Sequence, residues 1–152
     1  AIMIAFATLG TVSFSGVKEA SETASTAALT GIGLMLLVAA AGNDGNTSFS
    51  YPASYNAVVS VAAVNSSGAL ASFSQRNSQV EISGPGVGVN STWNNGGYNS
   101  ISGTSMASPH VAGVAALVWS NHPQCTAPQI RSALNRTAQD RGTAGPSPGG
   151  DP

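Results

Sequence analysis

The stretch GIGLMLLVAAA, residues 31–41, carries no polar or charged side chain and is the most apolar run of the chain. It falls well short of the ~20 residues that a membrane-spanning helix needs. It has no basic flank and lies too far into the chain to be a signal peptide. An unbroken apolar run closed by turn residues is the pattern of a strand buried on both faces, as in parallel sheets, so residues 34–41 are read as a strand. Just upstream, VKEASETASTAALT, residues 17–30, is rich in Ala and Glu and predicts a helix, with Gly31 as the residue that closes it. Further upstream, residues 2–9 form a second apolar run ended by Gly10, and residues 11–16 a polar loop. Strand, helix, strand in that order predicts a βαβ unit and an α/β fold. The chain opens inside its first strand without Met or leader, which predicts a truncated start.

Downstream, residues 41–56 (AGNDGNTSFSYPASYN) read as a loop from their Gly, Asn, Ser and Pro content. Residues 58–64 predict another buried strand and 65–68 a turn. A short strand is predicted over 80–82, before Gly84, Pro85 and Gly86. Residues 87–93 and 98–102 predict two strands joined by the hairpin signal Asn94-Asn95-Gly96-Gly97. Residues 104–121 (TSMASPHVAGVAALVWSN) predict a long helix of small residues, with Pro109 near its first turn. Ala, Gly and Val on every side predict burial all round. Residues 126–138 predict an amphipathic helix capped by Thr126, with Pro128 early in it and Ile130 and Leu134 facing inward.

The chain has 152 residues, enough for one domain with a core of its own. Apolar residues make up 42%, but charged residues only 7%, and the formal net charge is −1. The basic residues Lys18, Arg76, Arg131, Arg136 and Arg141 are scattered. There is therefore no electrostatic case for nucleic acid or an anionic membrane as partner. Disordered chains are poor in apolar residues and rich in net charge, the reverse of this composition. Gly, Ser, Thr and Asn stand in for the charges, which suits tight turns and grooves lined by backbone. Cys125 is the single cysteine, so no disulfide forms within the chain. It is either a free thiol or paired outside this stretch, and nothing beside it in sequence marks it as a nucleophile.

The chemistry centres on GTSMASPHVAG, residues 103–113. A serine at the start of a buried helix stands beside unpaired N–H groups and partial positive charge, which stabilise an oxyanion forming there. Gly103 lets the backbone come close to a substrate. Taken alone, Ser105 could equally be a helix cap, and Asn43 in the Gly-rich stretch Ala40-Ala41-Gly42-Asn43 could be only a turn residue.

As a string, GTSMASPHVAG resembles the nucleophile motif of the subtilisin-like serine proteases, the subtilase family. AAGN, residues 40–43, resembles the oxyanion strand end of that family, in the expected order upstream of the serine. The resemblance implies a serine endopeptidase in which Ser105 is the nucleophile and the Asn43 amide and the Ser105 N–H are the oxyanion donors. Tyr51-Pro52-Ala53-Ser54-Tyr55, residues 58–65, Ala71-Ser72-Phe73-Ser74 and Gly84-Pro85-Gly86 are similar to further family landmarks.

The resemblance runs over about residues 39–142 and implies a partial subtilisin-like fold. That is a parallel sheet flanked by helices, lacking the N-terminal strands, over residues 1–142, with a flexible tail over 143–152. It also implies that Ala39, Ala40, Ala41 and Gly42, with Thr8, Leu9 and Gly10, line the substrate cleft and pair with an extended peptide. Ser50 would lie at the base of the first specificity pocket, roomy and broadly apolar. Glu81 and the carbonyls of Asn56 and Val58 align with a calcium site of some members, so calcium is the one cofactor in view. Calcium prefers several oxygen ligands, and with a single carboxylate Glu81 also reads as a solvated surface residue. The implied partners are peptide or protein substrates acting on a monomer, and the implied location is extracellular.

Subtilases order their triad Asp, His, Ser along the chain. Residues 1–42 contain no Asp-Thr-Gly and no His. His110 lies on the helix of Ser105 but on another face, and His122 precedes Pro123 at the end of that helix as a cap or surface residue. A serine without its base is not activated, and in subtilisin itself loss of the His costs about 2 × 10⁶ in turnover. The chain alone is therefore expected to be nearly inactive. Its alternative is a pseudoprotease module that holds peptides without cutting them.

Overall fold

In the computed structural model of the chain, residues 4–8 and 35–140 are described. The helix expected over 17–30, its closing Gly31, the loop 11–16, Leu9, Gly10 and the tail 143–152 lie outside the described residues.

Four strands, β1 (Ile4–Thr8), β2 (Met35–Ala40), β3 (Val58–Val64) and β4 (Val80–Pro85), form one sheet in the order β1-β2-β3-β4. β2, β3 and β4 run parallel, with Leu37 opposite Val58 and Ser60 opposite Val80. β1 runs antiparallel to β2, from Ile4 opposite Ala39 to Thr8 opposite Met35. The first strand pair is thus not the parallel pair of a βαβ unit. An apolar run shows that both faces are covered but carries no information on strand direction. β4 extends to Pro85, three residues past the expected end at Ile82.

Side chains alternate across a strand, and here both faces are buried. Leu36 and Val38 of β2 join Val59, Val61 and Ala63 of β3 in the main core. Met35, Leu37 and Ala39 join Val58 and Ala53 in a second cluster. Helices α1 (Thr104–Asn121) and α2 (Ala127–Thr137) fill the main core with Ala107, Val111, Ala112, Ala115, Trp119, Ile130 and Leu134. Gly84 makes the fit of α1 against β4 tight, because a Cβ there would lie 3.0 Å from the Ala107 carbonyl oxygen. The buried Ser108 hydroxyl donates to the Val38 carbonyl at 3.4 Å, tying α1 to β2. A two-stranded hairpin, β5 (Val89–Thr92) and β6 (Tyr98–Ile101), leads into α1. It turns through Gly96 at φ +83°, a left-handed conformation that glycine adopts without strain.

Helix α1 spans the expected residues, but Pro109 lies past the first turn. There its ring nitrogen removes the backbone donor that the Ser105 carbonyl would otherwise receive. Nor is α1 buried all round: Val114 and Leu117 are 51% and 66% exposed. A helix of small apolar residues without one charged side chain has no sequence mark for its outward face, so the expectation of full burial was too broad. Helix α2 begins as expected at Thr126, whose N–H and hydroxyl both donate to Gln129 Oε1, at 2.8 and 3.1 Å. Among the described residues no helix is long and apolar enough to cross a membrane.

Candidate active site

β2 delivers the chain to the site. Ala41 still bonds to the sheet, its N–H donating to the Val61 carbonyl at 3.0 Å. Gly42 then turns sharply at φ +113°. A Cβ at Gly42 would stand 2.7 Å from both Gln75 Cγ and Ser50 Oγ, so only glycine fits. The turn leaves Asn43 exposed at the rim. From the other side, the Gly103 N–H donates to the Gly86 carbonyl at 2.8 Å and sets the start of α1 beside Asn43.

Thr104 joins the two segments. Its backbone N–H and its hydroxyl both donate to Asn43 Oδ1, at 2.8 and 2.9 Å. The Gly42 N–H donates to the same hydroxyl at 3.2 Å. A backbone N–H can only donate, so this arrangement fixes which end of the Asn43 amide is oxygen and turns Nδ2 the other way. Asn43, Thr104 and Ser105 share a cleft of ≈ 270 Å³ with Ala40, Gly42, Ser50 and Tyr51. The cleft therefore holds a serine in the first turn of a helix and a fixed side-chain amide on its wall. Such an arrangement can stabilise negative charge on a carbonyl oxygen placed beside the serine.

Of the residues singled out from sequence, Ala40, Gly42, Asn43, Ser50 and Ser105 meet in this cleft. Ala41 is buried behind it. Ala39 is buried and paired on both sides, with Ile4 in β1 and Ser60 in β3, so its backbone is not open to a peptide. Both backbone groups of Gly42 are also taken, the carbonyl by the Gln75 N–H at 3.0 Å. Thr8 pairs with Met35, at the far end of β2 from Ala40, and is not brought to the cleft. His110 Nδ1 lies 2.7 Å from the Met106 carbonyl, which only accepts, so Nδ1 carries the proton there and serves the helix. His122 is the exposed C-cap of α1.

Sequence reasoning missed three residues. Thr104, fully buried, was treated only as part of a motif. Tyr51 was noted as a landmark and lines the cleft. Gln75 is fully buried behind the turn. Its Oε1 accepts the N–H groups of Asp44 and Asn46, both at 3.2 Å, and its Nε2 donates to Asn46 Oδ1 and the Ser48 carbonyl, at 3.0 and 3.1 Å. An uncharged polar residue in a polar loop gives no sequence signal of burial.

Glu81 is not a solvated surface residue. Its side chain is 13% exposed and is held by Arg131 and Asn135 of α2.

Residues 7–149 match the Subtilase family, Peptidase S8, a wider stretch than the 39–142 over which the motifs were read. The chain is 57% identical over 104 residues to a thermostable alkaline protease of Halalkalibacterium halodurans, covering 68% of this chain and 29% of that protein. It is 46% identical over 112 residues to subtilisin DY of Bacillus licheniformis, covering 71% of this chain and 41% of the relative. The chain thus spans well under half the length of these relatives. Among solved structures, a cold-adapted subtilisin-like serine proteinase superposes with a TM-score of 0.65 at 42% identity, over 67% of this chain and 38% of that one. A psychrophilic subtilisin-like protease of Pseudoalteromonas sp. AS-11 superposes with a TM-score of 0.74 at 25% identity, over 90% of this chain and 64% of that one. With a family match that runs through almost its whole length, this chain belongs to the subtilase family.

Proposed function

We propose that this chain supplies the nucleophile and the oxyanion hole of a secreted subtilisin-like serine endopeptidase. Ser105 attacks the peptide carbonyl to give an acyl-enzyme, and the Asn43 amide with the Ser105 N–H stabilises the oxyanion. The observation that carries this reading is the double hydrogen bond from Thr104 to Asn43 Oδ1, which sets the amide in place before any substrate arrives. Ser50 and Tyr51 border the pocket for the side chain preceding the scissile bond, and their small and aromatic surfaces suit broad apolar preference. Neither histidine of the chain lines the cleft, His110 Nδ1 being on the Met106 carbonyl and His122 capping α1, and on this reading the general base is supplied by a further part of the catalytic domain. The apolar, uncharged outer face of α1, with Val114 and Leu117, is the kind of surface that further parts of a catalytic domain cover.

The second reading, a module that binds peptides without cutting them, rests on that same lack of a base. One experiment separates the two. The chain is refolded with the segment of a related subtilase that precedes its own oxyanion asparagine, and hydrolysis of a chromogenic peptide is followed. The first reading predicts hydrolysis by the mixture that Ser105→Ala abolishes. A mixture that forms a complex and binds the peptide without hydrolysis supports the second.

A further inference from the structure

The corner where α2 meets the sheet is where the family resemblance implied calcium, and the residues present do not fit that ion. Calcium takes six to eight oxygen ligands, with carboxylates prominent among them. Here there is one carboxylate, and it is already engaged. The Arg131 guanidinium grips Glu81 with both arms, Nε donating to Oε2 at 2.8 Å and Nη2 to Oε1. Asn135 Nδ2 donates to Glu81 Oε2 at 3.0 Å. The two carbonyls of the would-be site accept from the same guanidinium, Asn56 from Nη1 at 2.8 Å and Val58 from Nη2 at 3.5 Å. Among the described residues no three His, Cys, Asp or Glu side chains cluster as ligands for a metal.

We propose that Arg131 is the built-in cation of this corner, and that the corner takes no calcium. The guanidinium is permanently charged, and its planar fork matches a carboxylate bidentately. It satisfies the acceptors that a metal would need and places a like charge where the metal would stand. In doing so it ties α2 to two segments far from it in sequence: the entry into β3 through Asn56 and Val58, and β4 through Glu81. With side chains only 27% and 13% exposed, Arg131 and Glu81 are partly shielded from water and salt. The inference is independent of the catalytic reading, since it concerns a structural joint and its readout involves no turnover.

The test is thermal unfolding of the full chain, followed by circular dichroism, in chelator and in calcium chloride up to about 10 mM, above the range in which weak extracellular sites fill. Magnesium chloride at equal ionic strength is the control. The wild-type melting temperature is expected to be the same in all three, and equilibrium dialysis with radioactive calcium is expected to show no bound ion. Arg131→Met is expected to lower the melting temperature by roughly 3–8 °C, with no recovery in calcium. Glu81→Gln is expected to lower it comparably, and the double variant to fall no further than the worse single one. A calcium-dependent rise in the wild type that Glu81→Gln removes would overturn the proposal, as would bound calcium that Glu81→Gln releases. A wild type that neither gains stability in calcium nor binds it bears the proposal out even where a variant fails to fold.

Discussion

Trp119→Ala is expected to destabilise the domain by about 3–5 kcal/mol, measured by urea unfolding, and to leave much of the chain unfolded at ambient temperature. Trp119 sits in the last turns of α1 with 2% of its surface exposed, and it shares the main core with Ile130 and Leu134 of α2. No larger side chain in the described structure is buried to this degree. Its removal leaves a cavity that neighbouring helices cannot close without shifting against the sheet. It also strands an acceptor, because Trp119 Nε1 donates to the Cys125 carbonyl at 2.9 Å in the turn between the two helices. Trp119→Phe keeps most of the ring and loses only that bond and some volume, so a cost of about 1–2 kcal/mol is expected. If the two variants were equally stable, α2 would not be docked on α1 as described.

The second large effect concerns the oxyanion. In the assembled enzyme, Asn43→Ala is expected to lower kcat by about 10²–10³ with KM little changed, a magnitude known from subtilisin itself. Such a split marks a donor that acts on the transition state and contributes little to ground-state binding. Thr104→Val extends the argument one bond outward. It removes the hydroxyl that donates to Asn43 Oδ1 and accepts from Gly42, but leaves the Thr104 backbone N–H in place. The amide is then held by one bond where it had two, and a loss of about tenfold in kcat is expected, from a hydrogen bond worth about 1–1.5 kcal/mol. A large rise in KM with kcat unchanged would show that Asn43 holds substrate and does not serve the oxyanion.

The parts of this molecule that could be read from sequence are those with local causes. The bounds of α1 came out as expected, and α2 starts after Thr126 because the Thr126 and Gln129 spacing is itself a cap. The apolar runs at β2 and β3 were legible because both faces of the sheet are covered. The direction of β1 was not, since an apolar run reads the same in either sense. The cleft was legible at Asn43 and Ser105 through the family strings, but the bonds that hold it were not. Thr104 reaches back 61 residues to Asn43, and Gln75 reaches back 29 residues to Asn46. Arg131 looked like one scattered charge because its partners lie 50 and 75 residues away. Side chains whose role is set by contacts across the fold carry no periodicity that betrays it.

The most direct test of the central claim is fluorophosphonate labelling read by intact mass, on the chain alone and on the chain refolded with an upstream subtilase segment. On the proposed reading the chain should stay unlabelled alone and take one label in the complex, with that label absent from Ser105→Ala. Equal labelling of the wild type and Ser105→Ala in the complex, or a label mapped to another residue, would contradict the claim that this cleft holds the nucleophile.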